Sequence, residues 1–120
     1  MIIEKDFTFD SAHFLPNTPP GHKCAQLHGH TYLMTIGIND KLQNHTEWVM
    51  DFGDVKKIVN PLIEELDHKL LNSLPGLENP TAEVIAVYIY NRIKPLLKTL
   101  HYVKIQETPT ARSIYYGPEE

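Results

Sequence analysis

The order of its periodic segments constrains the fold of this chain more than any other feature. Two segments that alternate between apolar and polar residues come first, two segments of helical periodicity follow, and two alternating segments come last. Alternating strands bury one face and expose the other, and adjacent helices without a strand between them do not form βαβ units. We therefore predict one α+β domain over residues 1–120, with ββααββ order, a four-stranded antiparallel sheet and both helices on one face of it.

The predicted elements follow from their apolar positions and their boundary residues. Strands are expected at residues 2–13, 28–38, 101–108 and 111–117. The first helix carries an apolar stripe that consists of Val55, Ile58, Val59, Leu62, Ile63 and Leu66. Pro61 lies within this stripe and should bend the helix or start a new turn. Asn79 and Pro80 predict the start of the second helix, with Pro80 near its first position and Glu83 in its first turn.

Composition and charge exclude several functional classes. The chain has 120 residues, a formal net charge of −4 and a pI near 5.9, which argues against a surface for nucleic acid. No apolar run approaches the roughly 20 residues that span a bilayer, and the first residues lack the basic and apolar regions of a signal peptide. We therefore expect a cytoplasmic protein without a nucleic-acid or membrane partner. Its single cysteine, Cys24, cannot form an internal disulfide.

Three histidines form a candidate metal site. His28 and His30 are two residues apart on a predicted strand, so their side chains leave the same face with Cα atoms roughly 6.5 to 7 Å apart. His13, at the end of the first strand, becomes a third ligand if the two strands pair antiparallel. Three neutral histidines make an open, catalytic type of Zn²⁺ site. The alternative is that His28 and His30 are simply polar residues on a strand face, which an isolated pair would favour.

The thiol of Cys24 lies just before the histidine pair and has three possible roles. It could complete a structural site as a fourth metal ligand, although it lies in a loop rich in proline and glycine and not on the strand. A thiol close to a divalent cation but not bound to it has a lowered pKa and can act as a general base. The third possibility is a small buried apolar side chain.

An Asp–His pair and a glutamate further along the chain are also candidate catalytic or binding residues. Asp67 and His68 are predicted at the end of the apolar stripe of the first helix, where a carboxylate can orient an imidazole for proton transfer. The same pair near a helix end is also typical of a simple cap. Glu107 shares the apolar face of its strand, so its carboxylate needs partners. A bound ligand with paired N–H donors could supply these partners, and so could a structural salt bridge.

The chain resembles the 6-pyruvoyl-tetrahydropterin synthase superfamily. The resemblance rests on six stretches and covers residues from about 5 to 117: FTFDSAHFL, GHKCAQLHGHTY, MDFGDVKKIV, LDHKLLN, LENPTAEVIA and VKIQET. The most specific element is the spacing C-x-x-x-H-G-H with the upstream A-H and the downstream D-H. The stretches PPGHKC and PGLENPTAE look most similar to the bacterial branch that makes 6-carboxy-5,6,7,8-tetrahydropterin for 7-deazapurines such as queuosine.

The resemblance implies a fold, a set of site residues and a reaction. The fold is the tunnelling fold, in which subunits join their sheets side by side into a barrel, here a dimer of trimers with active sites between subunits. The implied residue roles are Zn²⁺ on His13, His28 and His30, a proton acceptor at Cys24, a proton relay at Asp67 and His68 that can serve a neighbouring subunit, a pterin anchor at Glu107 with Thr108 beside it, and a triphosphate contact at Lys23. The implied substrate is 7,8-dihydroneopterin triphosphate.

Three functions remain open at the level of sequence. The first is a zinc-dependent lyase that forms 6-carboxytetrahydropterin, acetaldehyde and triphosphate. The second is the same scaffold forming 6-pyruvoyltetrahydropterin, since those enzymes keep the same cysteine and ligands. The third is a non-catalytic protein that binds a metal or a pterin. Relatives with glutamate in place of the cysteine lean toward cleavage of dihydroneopterin itself, and Cys24 argues against that type.

Overall fold

The computed structural model of the protein describes residues 1–119, which contain five strands and two helices. In chain order these elements are β1 (Ile2–His13), β2 (His28–Asn39), α1 (Phe52–Leu66), β3 (Lys69–Leu70), α2 (Ala82–Ile93), β4 (Leu100–Thr108) and β5 (Ala111–Tyr115). Short 3-10 turns lie at Lys23–Ala25 and Leu71–Ser73. The predicted ββααββ order is confirmed for the six longer elements.

The sheet has the order β3-β1-β2-β4-β5 and is mixed, not purely antiparallel. β1 pairs with β2, β2 with β4 and β4 with β5, and all three pairs are antiparallel. In contrast, β3 pairs parallel with the end of β1. The prediction of a four-stranded antiparallel sheet is therefore wrong by one strand. A two-residue strand contains no alternation that a sequence pattern can reveal.

The core lies between one face of the sheet and the two helices. In the β1–β2 hairpin Phe7 stands opposite Met34 and Phe9 opposite Tyr32, and all four are buried. Burying one such side chain contributes about 1.5–3 kcal/mol. Both helices bury apolar residues in the same cluster, as predicted, and these are Val55, Val59, Leu62 and Leu66 in α1 and Ile85, Ala86, Ile89, Tyr90 and Ile93 in α2.

The helix boundaries differ slightly from the prediction. Pro61 lies inside α1, which runs unbroken from Phe52 to Leu66, with the exposed proline on its outer side. Thr81 caps α2, because its hydroxyl accepts a hydrogen bond from the N–H of Val84 at 3.1 Å. Pro80 therefore lies before the cap and not near the first helical position. Threonine supplies the capping oxygen that proline lacks, whereas the predicted position of Glu83 in the first turn is correct.

No helix within residues 1–119 combines the length and the apolar character that a membrane crossing requires.

Candidate metal centre and active site

The β1–β2 hairpin brings three imidazoles together at one end of the sheet. His13 stands directly opposite His28, and Ser11 stands opposite His30. All three histidines continue the faces that carry the buried residues Phe9 and Tyr32, and one ligand nitrogen from each lies within 4.8 Å of the other two. The side chain of His13 is fully buried, and those of His28 and His30 are partly buried.

Backbone carbonyls set the tautomers of His13 and His28. The Nδ1 of His13 lies 2.8 Å from the carbonyl oxygen of Pro80, and the Nδ1 of His28 lies 2.7 Å from that of Gln26. A carbonyl oxygen only accepts, so both Nδ1 atoms carry the proton and both Nε2 atoms present lone pairs. These two Nε2 atoms are 3.0 Å apart. Two facing lone pairs repel each other unless a cation lies between them, so the arrangement fits a metal.

The third imidazole also has an unsatisfied nitrogen. The Nε2 of His30 is buried and makes no hydrogen bond among the described residues. The nearest carboxylate oxygen, Oε1 of Glu107, lies 3.2 Å away but without hydrogen-bond alignment. A buried polar atom without a partner is costly unless something else satisfies it. Three imidazole nitrogens, two of them on rings that backbone carbonyls orient, are a donor set that suits Zn²⁺.

Burial favours the neutral form of His13 and His30, which is the form that can bind a metal. Burial is the main cause that lowers the pKa of His13 below its ordinary value, although the hydrogen bond to Pro80 opposes it. Burial likewise lowers the pKa of His30, against the attraction of the Glu107 carboxylate. Because a protonated imidazole cannot bind a cation, lowered pKa values favour metal binding at neutral pH.

Cys24 lies in the loop that leads from β1 into β2. It is half-buried in the 3-10 turn Lys23–Ala25, and its carbonyl accepts a hydrogen bond from the N–H of Leu15 at 2.8 Å. Within residues 1–119 its sulfur does not belong to the group of ligand atoms that the three histidines form. Lys23, the predicted triphosphate contact, is exposed in the same turn.

Asp67 and His68 form a group of their own beside β1. Both lie beyond the last residue of α1, so the prediction that they end the helical stripe is corrected. The Nδ1 of His68 lies 2.9 Å from Oδ2 of Asp67, whose Oδ1 accepts a hydrogen bond from the backbone N–H of Asp10 at 2.9 Å. That N–H is the largest cause that lowers the pKa of Asp67, followed by the contact with His68. The side chain of His68 is 77% exposed.

Glu107 lies where the pairing of β4 and β5 is irregular. The register shifts between Gln106 and Thr108, and Glu107 lies in the bulge. Its carboxylate faces His30 on one side and lines a cavity of about 270 Å³ on the other, together with Ala82, Glu83, Ala111, Arg112 and Ser113. No lysine or arginine among the described residues forms an ion pair with it. Thr108 is the next residue and pairs with Ala111.

Tyr32 contacts the group of three histidines but was not predicted as a site residue. Its hydroxyl lies 3.2 Å from Nδ1 of His13, and its ring stacks on Phe9 at 5.0 Å between centroids. Burial raises the pKa of Tyr32 above its ordinary value, so the hydroxyl stays protonated. The available signal was its parity with His28 and His30, two residues further along the same strand face.

A sequence model described as 6-pyruvoyl tetrahydropterin synthase matches residues 2–118. The chain belongs to this family. The family resemblance and the tunnelling fold of the single chain are thereby confirmed. A structure of the Caenorhabditis elegans 6-pyruvoyl tetrahydropterin synthase has the same fold, with a TM-score of 0.91 at 23% identity over 98% of this chain and 96% of that one.

Bacterial relatives in the 6-pyruvoyl tetrahydropterin synthase family are more similar in sequence. The 6-carboxy-5,6,7,8-tetrahydropterin synthase of Synechocystis is 38% identical over 123 residues, which cover 98% of this chain and 94% of that protein. The enzyme of the same name from Bacillus subtilis is 31% identical and covers 94% of this chain and 83% of its own length. Both alignments span nearly the whole length of the chain.

Proposed function

We propose that the protein is a zinc-dependent lyase that converts 7,8-dihydroneopterin triphosphate and water into 6-carboxy-5,6,7,8-tetrahydropterin, acetaldehyde and triphosphate. The observation that carries the proposal is the convergence of His13, His28 and His30. Backbone carbonyls accept the Nδ1 protons of His13 and His28, and the Nε2 of His30 has no hydrogen-bond partner among the described residues. The relatives that match nearly the whole chain carry the name of this activity.

The proposed reaction balances without an external oxidant. Triphosphate leaves with the electrons of its C–O bond, and two electrons from the side chain reduce the dihydropterin ring to the tetrahydro level. Water then supplies the second oxygen of the new carboxylate when the side chain breaks between its first and second carbons. Bound Zn²⁺ would supply Lewis-acid stabilisation of the side-chain oxygens as they lose protons.

Cys24 is proposed as a proton acceptor. It lies in a turn that a hydrogen bond ties to Leu15, two residues after His13, so the loop returns to the end of β1 that carries the metal ligand. A half-buried thiol near a divalent cation deprotonates more readily than a free one. The relatives with glutamate at this position would use a carboxylate for the same task.

Asp67 and His68 are proposed as a proton relay that serves the metal centre of a neighbouring subunit. Their group is separate from the three metal-binding histidines of the same chain, and the imidazole is largely exposed. The carboxylate fixes the tautomer of His68 through Nδ1 and leaves Nε2 for substrate. This arrangement requires an assembly, which we propose to be a dimer of trimers with the sheets joined into barrels.

Glu107 is proposed to bind the pterin ring. Its carboxylate lines the cavity beside the metal centre and lacks a cationic partner among the described residues. Paired N–H groups of a pterin can donate to both oxygens of such a carboxylate, which makes a charge-assisted pair. Thr108 would add a contact to the same ring, and exposed Lys23 would meet the triphosphate.

The protein is further proposed to act in the cytoplasm. A single half-buried cysteine without a disulfide partner fits a reducing compartment. The product is the kind of precursor from which 7-deazapurines such as queuosine are made, so we assign the protein to that pathway.

A product assay tests the proposed function directly. Purified, zinc-loaded protein is incubated with 7,8-dihydroneopterin triphosphate, and the products are identified by mass. We expect a carboxypterin together with acetaldehyde. Recovery of a pyruvoyl compound without acetaldehyde would support the pyruvoyl-forming alternative, and unchanged substrate would support a binding protein.

A further inference from the structure

The LDHKLLN segment lies alongside the end of β1 and contacts it at successive positions. Asp67 and His68 both bond to the backbone of Asp10, through the Asp67 carboxylate and the His68 N–H. Lys69 then pairs with Ser11, and Leu70 pairs with Ala12. Residues 67–70 therefore pair in parallel with residues 10–12, directly before the metal ligand His13.

The side chain of Asn72 extends this pairing beyond the point where the main chain turns away. The main chain enters a 3-10 turn at Leu71–Ser73. The amide of Asn72 accepts a hydrogen bond from the N–H of Phe14 at 3.0 Å and donates one to the carbonyl of Phe14 at 2.8 Å. A side-chain amide that bonds both backbone groups of one residue replaces the residue of a neighbouring strand.

Asn72 also contacts the segment from Glu78 to Pro80, which bonds to the His13 side chain. Its Nδ2 lies 3.3 Å from the carbonyl oxygen of Glu78. Two residues later, the carbonyl of Pro80 accepts the Nδ1 proton of His13. One amide therefore links Phe14, the residue after His13, to the segment whose carbonyl orients the His13 ring.

We propose that Asn72 is a positioning residue for the metal centre. It places His13 by holding both the backbone of Phe14 and the segment that contains Glu78 and Pro80. The proposal rests on the proposed function, because it requires a metal on His13, His28 and His30. Groups that hydrogen-bond directly to a metal ligand contribute about 10- to 100-fold to metal affinity. Asn72 bonds the backbone beside His13 and not the ligand itself, so we expect an effect at the lower end of that range. The final asparagine of the LDHKLLN segment thus has a role apart from that of the aspartate and histidine that begin it.

Competition with a chromophoric chelator tests the proposal by measuring the Zn²⁺ affinity of initially metal-free protein. Asn72→Ala should bind Zn²⁺ about 10-fold more weakly than the unmodified chain, the lower end of the range for groups that orient metal ligands. Asn72→Asp keeps the acceptor for the Phe14 N–H but loses both donated bonds, and it should also bind more weakly. The measurement is made at a temperature where circular dichroism shows each variant folded, so that lost stability alone does not weaken binding.

Ser73→Ala is the matched control. Ser73 lies in the same turn and donates a hydrogen bond to the Leu70 carbonyl at 2.7 Å, and no bond joins it to Phe14 or Glu78 among the described residues. This variant should bind Zn²⁺ as the unmodified chain does. The visible spectrum of the Co²⁺ form gives a second readout, because a displaced His13 changes the ligand field in the Asn72 variants but not in the control.

The outcomes separate the two proposals. If both Asn72 variants fold and bind Zn²⁺ normally, or if Ser73→Ala weakens binding equally, the positioning role is wrong. If Asn72→Ala does not fold, Asn72→Asp decides; if neither folds, Asn72 supports the fold and not the metal centre, and the proposal is also wrong. If the unmodified chain binds no Zn²⁺, the proposed function itself fails.

Discussion

At the scale of single residues, Cys24 bears most directly on whether the proposed metal centre is catalytic. It lies close to the end of β1 but outside the group of three histidines. Cys24→Ala should therefore retain Zn²⁺ and lose turnover by about 10²–10⁴-fold, the usual contribution of an acid–base group. Metal analysis and steady-state kinetics on the same preparation check this prediction.

Loss of the metal in Cys24→Ala would contradict that assignment. The sulfur would then be a ligand, and the site would be structural. Cys24→Ser is the useful companion, because a hydroxyl of similar size should keep the fold but remain a poor proton acceptor at neutral pH.

Glu107 gives a second prediction at this scale. Glu107→Gln removes the charge that would pair with the pterin N–H groups, and charge-assisted hydrogen bonds are typically worth about 1.5–3 kcal/mol. We expect kcat/KM to fall roughly 10- to 100-fold while Zn²⁺ content stays the same. Glu65→Gln, which removes a carboxylate from an exposed ion pair with Arg92, should leave kcat/KM unchanged. Normal kinetics in Glu107→Gln would remove this residue from the site.

The sequence revealed the three candidate metal ligands better than their surroundings. The spacing of His28 and His30 on one strand predicts convergence, and pairing of the two strands adds His13. By contrast, the carbonyls of Pro80 and Gln26 carry no side-chain signal, because any residue supplies a carbonyl. The contact between Glu107 and His30 depends on the bulge in β4, which alternation does not show.

At the level of elements, most strands and helices were predictable, and the bounds of β1, β2 and β4 were predicted to within one residue. Hydrophobic periodicity identified β1, β2, α1 and α2 because each is long enough to repeat its pattern. β3 has two residues and is held by its neighbour β1, so only the folded chain reveals it. Pro80 and Thr81 both lie at the predicted start of α2. The hydroxyl of Thr81 caps the helix, so α2 begins after Thr81 and not at Pro80.

The cap of α2 therefore gives a prediction about stability. Thr81→Ala removes the acceptor for the N–H of Val84 and should lower the free energy of unfolding by about 1 kcal/mol. Urea denaturation of the metal-free protein measures this change. Thr81→Ser keeps the hydroxyl and should recover most of the stability; equal losses in both variants would show that the hydroxyl does not cap the helix.

For the whole molecule, the first question is whether one chain suffices for activity. Asp67 and His68 form a group apart from the three converging histidines of the same chain. If they serve a neighbour, Cys24→Ala and His68→Ala subunits complement each other when they are unfolded together and refolded. Random mixing in equal amounts should restore about one quarter of normal activity, because half of the sites receive each intact group.

Each variant refolded alone is the control and should stay inactive. A mixture that also stays inactive, although gel filtration shows a mixed assembly, would place both groups in one subunit and would contradict the shared site.

The stability of the metal-free protein should also depend on pH. His13 and His30 have lowered pKa values in the folded state, mainly because of burial. Glu107 opposes this lowering in both, and His28 adds to it. The unfolded chain therefore takes up protons first as pH falls through about 6.5. Stability should be fully present above that pH and decline toward the lower folded-state pKa values.

Urea denaturation of metal-free protein at pH 7.5, 6.5 and 5.5 measures this decline. His13→Gln removes one of the two groups and should flatten the dependence. A dependence as steep in this variant as in the unmodified chain would assign the effect to other histidines.

The backbone conformation of His68 lowers the stability of the folded chain. His68 adopts a left-handed backbone conformation with φ of 57°, which costs a residue with a Cβ atom roughly 1–2 kcal/mol. Glycine would occupy that position without the steric penalty. Under the proposed relay role, the imidazole at this position lowers stability and places a reactive nitrogen, so selection for heat resistance alone would favour glycine there and would remove the proposed chemistry.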